Sequence, residues 1–217
     1  MLEKLLGAAA QKVILPVGAA LARAGFTANL LTLIGFLVVL AASWVIAVGP
    51  LPLGGLLLLA GSCFDLLDGA VARVTKKVSK KGAFLDSTVD RVSDAAMFLA
   101  LVWRGLFPAP LPVLATTPEA AASLIAAQRE ARLLIGLALA AMILGFLVSY
   151  VRARAEGLDF ECKVGIAERP ERVVIMALGL LLSRPIPALI ILVAMSGLTL
   201  VQRLVHVWKQ ASAPAGS

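Results

Sequence analysis

From Leu30 to Val48 the chain runs nineteen residues without a charged side chain, long enough for one helix to cross a hydrocarbon core of about 30 Å. Comparable blocks follow. Leu51 to Phe64 is uncharged but short, so a second span has to continue through Asp65 and Asp68 toward Arg73. A third runs from about Phe84 to Trp103 and a fourth from about Leu133 to Val151. The block from Val173 to Val205 would measure about 50 Å as one helix, too long for a single crossing. Ser183-Arg184-Pro185-Ile186-Pro187 interrupts it, and two prolines two residues apart make a hairpin turn. The fifth span is then about Pro170 to Leu182, and the sixth ends near Val205.

Such a chain is expected to be an all-α integral membrane protein. A composition that is 60% apolar and 15% charged, with mean hydropathy +0.96, would be an odd surface for a soluble domain. The expected layout is one domain over residues 1–217, with a six-helix transmembrane bundle at 26–208 and a flexible tail at 209–217. Residues 1–25 carry Leu2, Leu5, Leu6, Ala9, Val13 and Leu15 at helical spacing around Lys4 and Lys12. That pattern suits an amphipathic helix lying in the membrane interface. No cleavable signal peptide is expected there.

Loop charges orient the bundle. With both termini cytoplasmic, only Arg104, Arg129, Arg132 and Arg184 fall outside, which leaves 16 of the 20 basic residues inside, as the positive-inside rule requires. The net charge of +7 follows from this bias and from attraction to anionic lipid; no nucleic-acid partner is implied. The expected location is the cell inner (cytoplasmic) membrane, multi-pass. Cys63 and Cys162 form neither a CxxC site nor a disulfide framework.

Within this frame, carboxylates are the anomaly. A charged side chain at mid-bilayer costs about 2.5–3.5 kcal/mol or more, yet Asp65, Asp68, Asp86 and Asp90 all sit in or beside spans. Asp65 and Asp68 are i and i+3, while Asp86, Asp90 and Asp94 are i, i+4 and i+8, so each helix offers one acidic stripe. A short link from Arg73 to Gly82 is expected to set the second and third spans side by side with the stripes facing each other at the cytoplasmic end. Divalent cations suit such sites, because hard ions take carboxylate oxygens and leave positions open for phosphates. Two other readings compete. Simple ion pairing with Arg73 and Arg91 seldom gains net stability when buried. An ion-coupled transporter should show repeated span patterns with interrupted helices, and the motif occurs once.

The pattern Asp65-x2-Asp68-Gly69-x2-Ala72-Arg73-x8-Gly82-x3-Asp86-x3-Asp90 resembles the complete signature of the CDP-alcohol phosphatidyltransferases. It matches eight fixed positions over 26 residues. The resemblance implies a phospholipid-synthesising transferase in which Asp65, Asp68, Asp86 and Asp90 hold metal, most simply two Mg²⁺ ions with Mn²⁺ as an alternative. It implies that Gly69, Ala72 and Arg73 line the CDP-lipid, and that Asp90 is the general base for the acceptor hydroxyl. It also implies a homodimer.

A second constellation comprises Ser149-Tyr150-Val151-Arg152-Ala153-Arg154, then Glu168-Arg169-Pro170-Glu171-Arg172, then Gln202-Arg203. All three segments lie at cytoplasmic ends of spans, and arginine forks match phosphate oxygens in a bidentate way. The bland alternative is ordinary basic flanking with Arg/Glu pairs. These segments are similar to those of bacterial phosphatidylinositol phosphate synthases, which join CDP-diacylglycerol to inositol 1-phosphate. On that resemblance Arg152, Arg154, Arg169, Arg172 and Arg203 would bind the acceptor phosphate. Arg152 stands where the actinobacterial enzymes are expected to carry Lys, and the loop from Gly157 to Gly165 differs too. A glycerophosphate-using synthase and an archaeal synthase with an ether-lipid donor would share most of the pattern.

Overall fold

Helices make up nearly all of the computed structural model, which describes residues 14–77, 79–108 and 117–212. A short helix α1 (Ile14–Arg23) precedes α2 (Ala28–Val48), α3 (Leu51–Val74), α4 (Lys80–Leu106), α5 (Pro118–Glu156), α6 (Arg169–Leu181) and α7 (Pro185–Ala211), and no strand occurs among the described residues. Helix starts are set locally. The hydroxyls of Thr27, Ser79 and Thr117 accept hydrogen bonds from the N–H groups of Leu30, Gly82 and Ala120 at 3.3, 3.0 and 3.2 Å, which satisfies donors a helix leaves open. Proline occupies the first or second position of α3, α5, α6 and α7, where its missing N–H has no intrahelical partner to lose. The turn at Ser183 and Arg184 separates α6 from α7, at the place where the prolines require it.

Four helices, α2, α3, α5 and α7, are long and apolar enough to cross a membrane. Beside the shorter α1, α4 and α6 depart for different reasons. α4 carries Lys80, Lys81, Asp86, Asp90 and Arg91 in its first half and Asp94 at its middle, whereas α6 has 13 residues, about 20 Å of helix. Large apolar side chains face outward, including Trp44 at 71% exposure and Leu56 at 57%.

Packing closes the helices into a ring. α2 lies against α3 and α4, α3 against α6, α6 against α7, α7 against α5, and α5 against α4. This corrects the expected side-by-side pairing of the second and third spans, since α3 and α4 are not packed neighbours. α2 lies between them because glycines let it approach α3 closely: a Cβ on Gly35 would lie 3.1 Å from the Gly61 carbonyl oxygen, and one on Gly61 would lie 2.6 Å from Val39 Cγ2. The two acidic stripes therefore face each other across the interior of the ring.

The ring has an apolar end and a charged end. Ile46, Leu58, Leu101, Met176, Leu189 and Leu192 form the apolar core, and there Arg104 donates from Nη1 to the carbonyls of Ile46 and Gly49 at the end of α2, at 2.8 and 2.9 Å. α1 docks at the other end, where Gly18 meets Ala70 of α3.

Two boundaries differ from expectation. α5 has 39 residues and begins well before Leu133, because the Thr117 cap, Pro118 and an alanine-rich stretch favour helix where hydropathy alone marks no span. α7 extends to Ala211, so the chain at 209–211 is helical and not a tail. Residues 1–13 of the expected interfacial helix and 213–217 of the expected tail lie outside the described residues.

Candidate active site

The second half of α3 and the first half of α4 bring four carboxylates to the charged end of the ring. Asp68 is buried, and the Thr32 hydroxyl on α2 donates to it. Asp65 and Asp90 share one guanidinium: Arg169 Nη1 at the start of α6 bonds Asp65 and lies 2.8 Å from Asp90 Oδ1. Asp86 has no hydrogen bond or ion pair among the described residues, although it feels Asp65, Arg169 and Arg91 electrostatically. Asp65 and Asp86 each lie within electrostatic reach of both Asp68 and Asp90. One turn beyond Asp90, Asp94 accepts from Arg172 Nη2 at 2.8 Å through Oδ2, and its Oδ1 is 3.6 Å from Arg169 Nε.

Next to the α4 carboxylates opens a cavity of about 670 Å³ whose walls include Asp86, Asp90, Arg91, Arg152, Arg169 and Arg203. The expected phosphate-binding arginines reach it differently. Arg152 on α5 is half-buried, with Nε 2.9 Å from Glu156. Arg203 on α7 is 3% exposed; its Nε and Nη1 donate to the carbonyls of Val164 and Val148 at 2.9 and 2.6 Å, so Nη2 is the nitrogen left without a hydrogen bond among the described residues. Arg172 contributes to the wall, but both of its η nitrogens are engaged, by Asp94 and by the Gly145 carbonyl at 3.2 Å. Arg169 is held among carboxylates. Arg154 is exposed and is not part of the cavity wall, because two residues along a helix from Arg152 is the opposite side.

The loop joining α5 to α6 is fixed over this cavity from α7. Thr199 Oγ1 accepts from the N–H groups of Ile166 and Ala167 at 3.2 and 3.0 Å. Gly165 adopts φ +132°, and a Cβ there would lie 2.5 Å from Thr199 Cγ2, so only glycine fits both the conformation and the space.

Gly69, Ala72 and Arg73 lie farther along α3, away from this cavity. Arg73 is exposed and folds back on Gly69, its Nη1 3.5 Å from where a Cβ would stand. The carboxylates thus stand between an open surface on α3 and a basic cavity walled by α4, α5, α6 and α7.

The donor set fits a hard divalent ion. Four carboxylates have Arg169 as the one cation within ion-pair distance among the described residues, and hard ions take carboxylate oxygens. In the present arrangement no three of these groups converge on one point among the described residues, with Arg169 lying between Asp65 and Asp90. An ion held by those two residues would take the place of the guanidinium.

Several of these contacts were not apparent from sequence. Thr32, Gly145, Gly165 and Thr199 belong to helices and a loop remote in sequence from the acidic motif, and nothing local marks them. Asp94 was visible as the third member of the α4 stripe, without a role.

The family model for CDP-alcohol phosphatidyltransferase matches residues 26–213. The chain is 39% identical over 194 residues to archaetidylinositol phosphate synthase of Methanothermobacter thermautotrophicus, covering 87% of this chain and 86% of that one. It is 34% identical over 221 residues to phosphatidylinositol phosphate synthase of Corynebacterium glutamicum, covering 96% and 92%. The crystal structure of the Mycobacterium tuberculosis phosphatidylinositol phosphate synthase with CDP-DAG bound superposes with a TM-score of 0.77 at 28% identity, covering 95% of this chain and 100% of that one. The same enzyme in complex with manganese and citrate gives 0.76 at 28% identity over 94% and 93%. A signature complete at every fixed position, a ring that brings its carboxylates together, and a family match spanning the whole bundle agree: the chain belongs to the CDP-alcohol phosphatidyltransferase family.

Proposed function

We propose that this enzyme transfers a phosphatidyl group from CDP-diacylglycerol to the hydroxyl of inositol 1-phosphate, giving phosphatidylinositol phosphate and CMP. The observation that carries the reading is the junction at Arg169, where the acidic motif meets a basic cavity of about 670 Å³. A cavity with Asp90 on one wall and arginines on the others suits an alcohol that also carries a phosphate. The names of the archaeal and bacterial relatives both specify an inositol phosphate product.

In this reading the CDP-lipid lies along Gly69, Ala72 and Arg73, and the acceptor enters the cavity on the other side of the carboxylates. Arg152, Arg169 and Arg203 hold the acceptor phosphate, with Arg172 adding charge from the wall; the exposed position of Arg154 leaves it outside this set. Asp90 takes the proton from the acceptor hydroxyl. The new bond forms between that oxygen and the lipid phosphorus, and the bond to the bridging oxygen breaks, so that CMP leaves with its electron pair. Asp65, Asp68, Asp86 and Asp90 would hold the divalent metal, two ions of Mg²⁺ or Mn²⁺, both of which carboxylates accept. When bound, the metal neutralises charge developing on the diphosphate.

The same reading places all six helices α2 to α7 across the inner membrane, with the termini and the carboxylates facing the cytoplasm. Asp86, Asp90 and Asp94 of α4 are at least half-buried, and short α6 sets Arg169 and buried Arg172 against Asp94. The 16-to-4 distribution of basic residues supports this orientation.

The test is an acceptor panel with radiolabelled CDP-diacylglycerol, comparing inositol 1-phosphate, inositol, glycerol 3-phosphate and serine. Turnover is expected with inositol 1-phosphate, and a clear preference for any other acceptor refutes the assignment. The archaeal relative, at 39% identity, favours a second reading with an ether-lipid CDP donor. A parallel donor panel at fixed acceptor separates the two.

A further inference from the structure

Asp94 lies outside the eight-position signature yet makes the deepest charged contacts of the site. It is 9% exposed, and its partner Arg172 is 4% exposed. The pair joins α4 to α6, two helices that are not packed neighbours in the ring, so it spans the interior beneath the cavity. Asp94 Oδ2 takes Arg172 Nη2 at 2.8 Å, while Oδ1 lies 3.6 Å from Arg169 Nε. From the far side the Gly145 carbonyl accepts from Arg172 Nη1 at 3.2 Å. A Cβ at 145 would lie 2.8 Å from that nitrogen, so any larger residue there would have to push the guanidinium aside. Buried ion pairs are seldom more stable than well-packed apolar residues of similar volume, so stability alone is a weak reason for this one.

We infer that Asp94 is a positioning residue for the acceptor: it touches neither substrate, but sets the two α6 arginines that face the cavity. Arg172 is clamped between Asp94 and Gly145. Arg169 is held at Nη1 by Asp65 and Asp90 and approached at Nε by Asp94. When a divalent ion takes Asp65 and Asp90, Asp94 is the contacting carboxylate that still anchors Arg169, pointing it toward the acceptor. This inference rests on the reading of the cavity as the place of a phosphorylated acceptor.

The experiment measures steady-state kinetics and melting temperature of the full-length enzyme in lipid nanodiscs for wild type, Asp94→Asn, Asp94→Glu and Gly145→Ala. Asp94→Asn is expected to raise KM for inositol 1-phosphate at least tenfold, with KM for the CDP-lipid within twofold of wild type. Asp94→Glu restores the charge and should recover most of the acceptor KM. Gly145→Ala displaces Arg172 from the opposite side and should raise the same KM, which keeps the idea testable if Asp94→Asn does not fold. Unchanged acceptor KM in Asp94→Asn and Gly145→Ala, or equal rises in both KM values that track the melting temperature, would overturn the inference while wild-type turnover upholds the assigned reaction. A wild-type enzyme indifferent to the acceptor's phosphate would instead overturn the functional reading and this inference with it.

Discussion

Replacing Arg169 by Gln should tighten metal binding while weakening catalysis, two effects of opposite direction from one change. The guanidinium pairs with Asp65 and lies 2.8 Å from Asp90, both expected metal ligands, so a divalent ion has to displace it. A unit charge about 4 Å from a carboxylate is worth about 4 kcal/mol at an effective dielectric near 20. The displaced guanidinium regains hydration and keeps Asp94 within reach, and if these offset about two thirds of that, about 1.4 kcal/mol remains, a tenfold change in Kd. Arg169→Gln is therefore expected to bind Mn²⁺ about tenfold tighter than wild type in a substrate-free titration followed by electron paramagnetic resonance. Arg169→Lys retains the charge and should stay near wild type. Turnover in Arg169→Gln should fall, because the acceptor phosphate loses a donor. An unchanged or weaker Mn²⁺ Kd in the glutamine variant would refute the competition.

Two further perturbations probe other parts of the molecule. Asp90→Asn should abolish CMP release in a product assay while a labelled CDP-lipid still binds; turnover at the wild-type rate would remove Asp90 as the base. Gly61→Ala puts a methyl 2.6 Å from Val39 Cγ2, and overpacking of this kind costs about 1–3 kcal/mol, so the melting temperature should drop with metal affinity retained, and an unshifted melting curve would show that α2 and α3 are not tightly packed there.

Much of the helix layout was legible because its causes are local. Spans announce themselves through unbroken apolarity, Pro185 and Pro187 impose a turn by covalent geometry, and Thr27, Ser79 and Thr117 cap helices using only the next few residues. α5 shows the limit of that reading: hydropathy marked the segment near Leu133 to Val151, whereas the helix extends to Pro118 because helix propensity does not require apolarity. The arginines show another. Arg152, Arg169, Arg172 and Arg203 were recognisable as a basic group at one end of the bundle, but their partners lie on other helices. Arg203 spends two nitrogens on backbone carbonyls and Arg169 sits among acids, and neither fact has a trace in its own neighbourhood.

By itself the sequence determined that this is a helical membrane enzyme of one family and singled out four carboxylates as the expected metal ligands: transfer free energy marks them as costly within single spans, helical spacing gathers them into stripes, and the signature they complete supplies the expected role. The tertiary structure decided that α2 separates α3 from α4, that Thr32 holds Asp68, and that Asp94 with Gly145 clamps Arg172. These outcomes depend on which helices become neighbours when the ring closes. Glycine contacts at positions 35 and 61 and charge pairing across the interior settle that order, and both are sums over residues far apart in the chain.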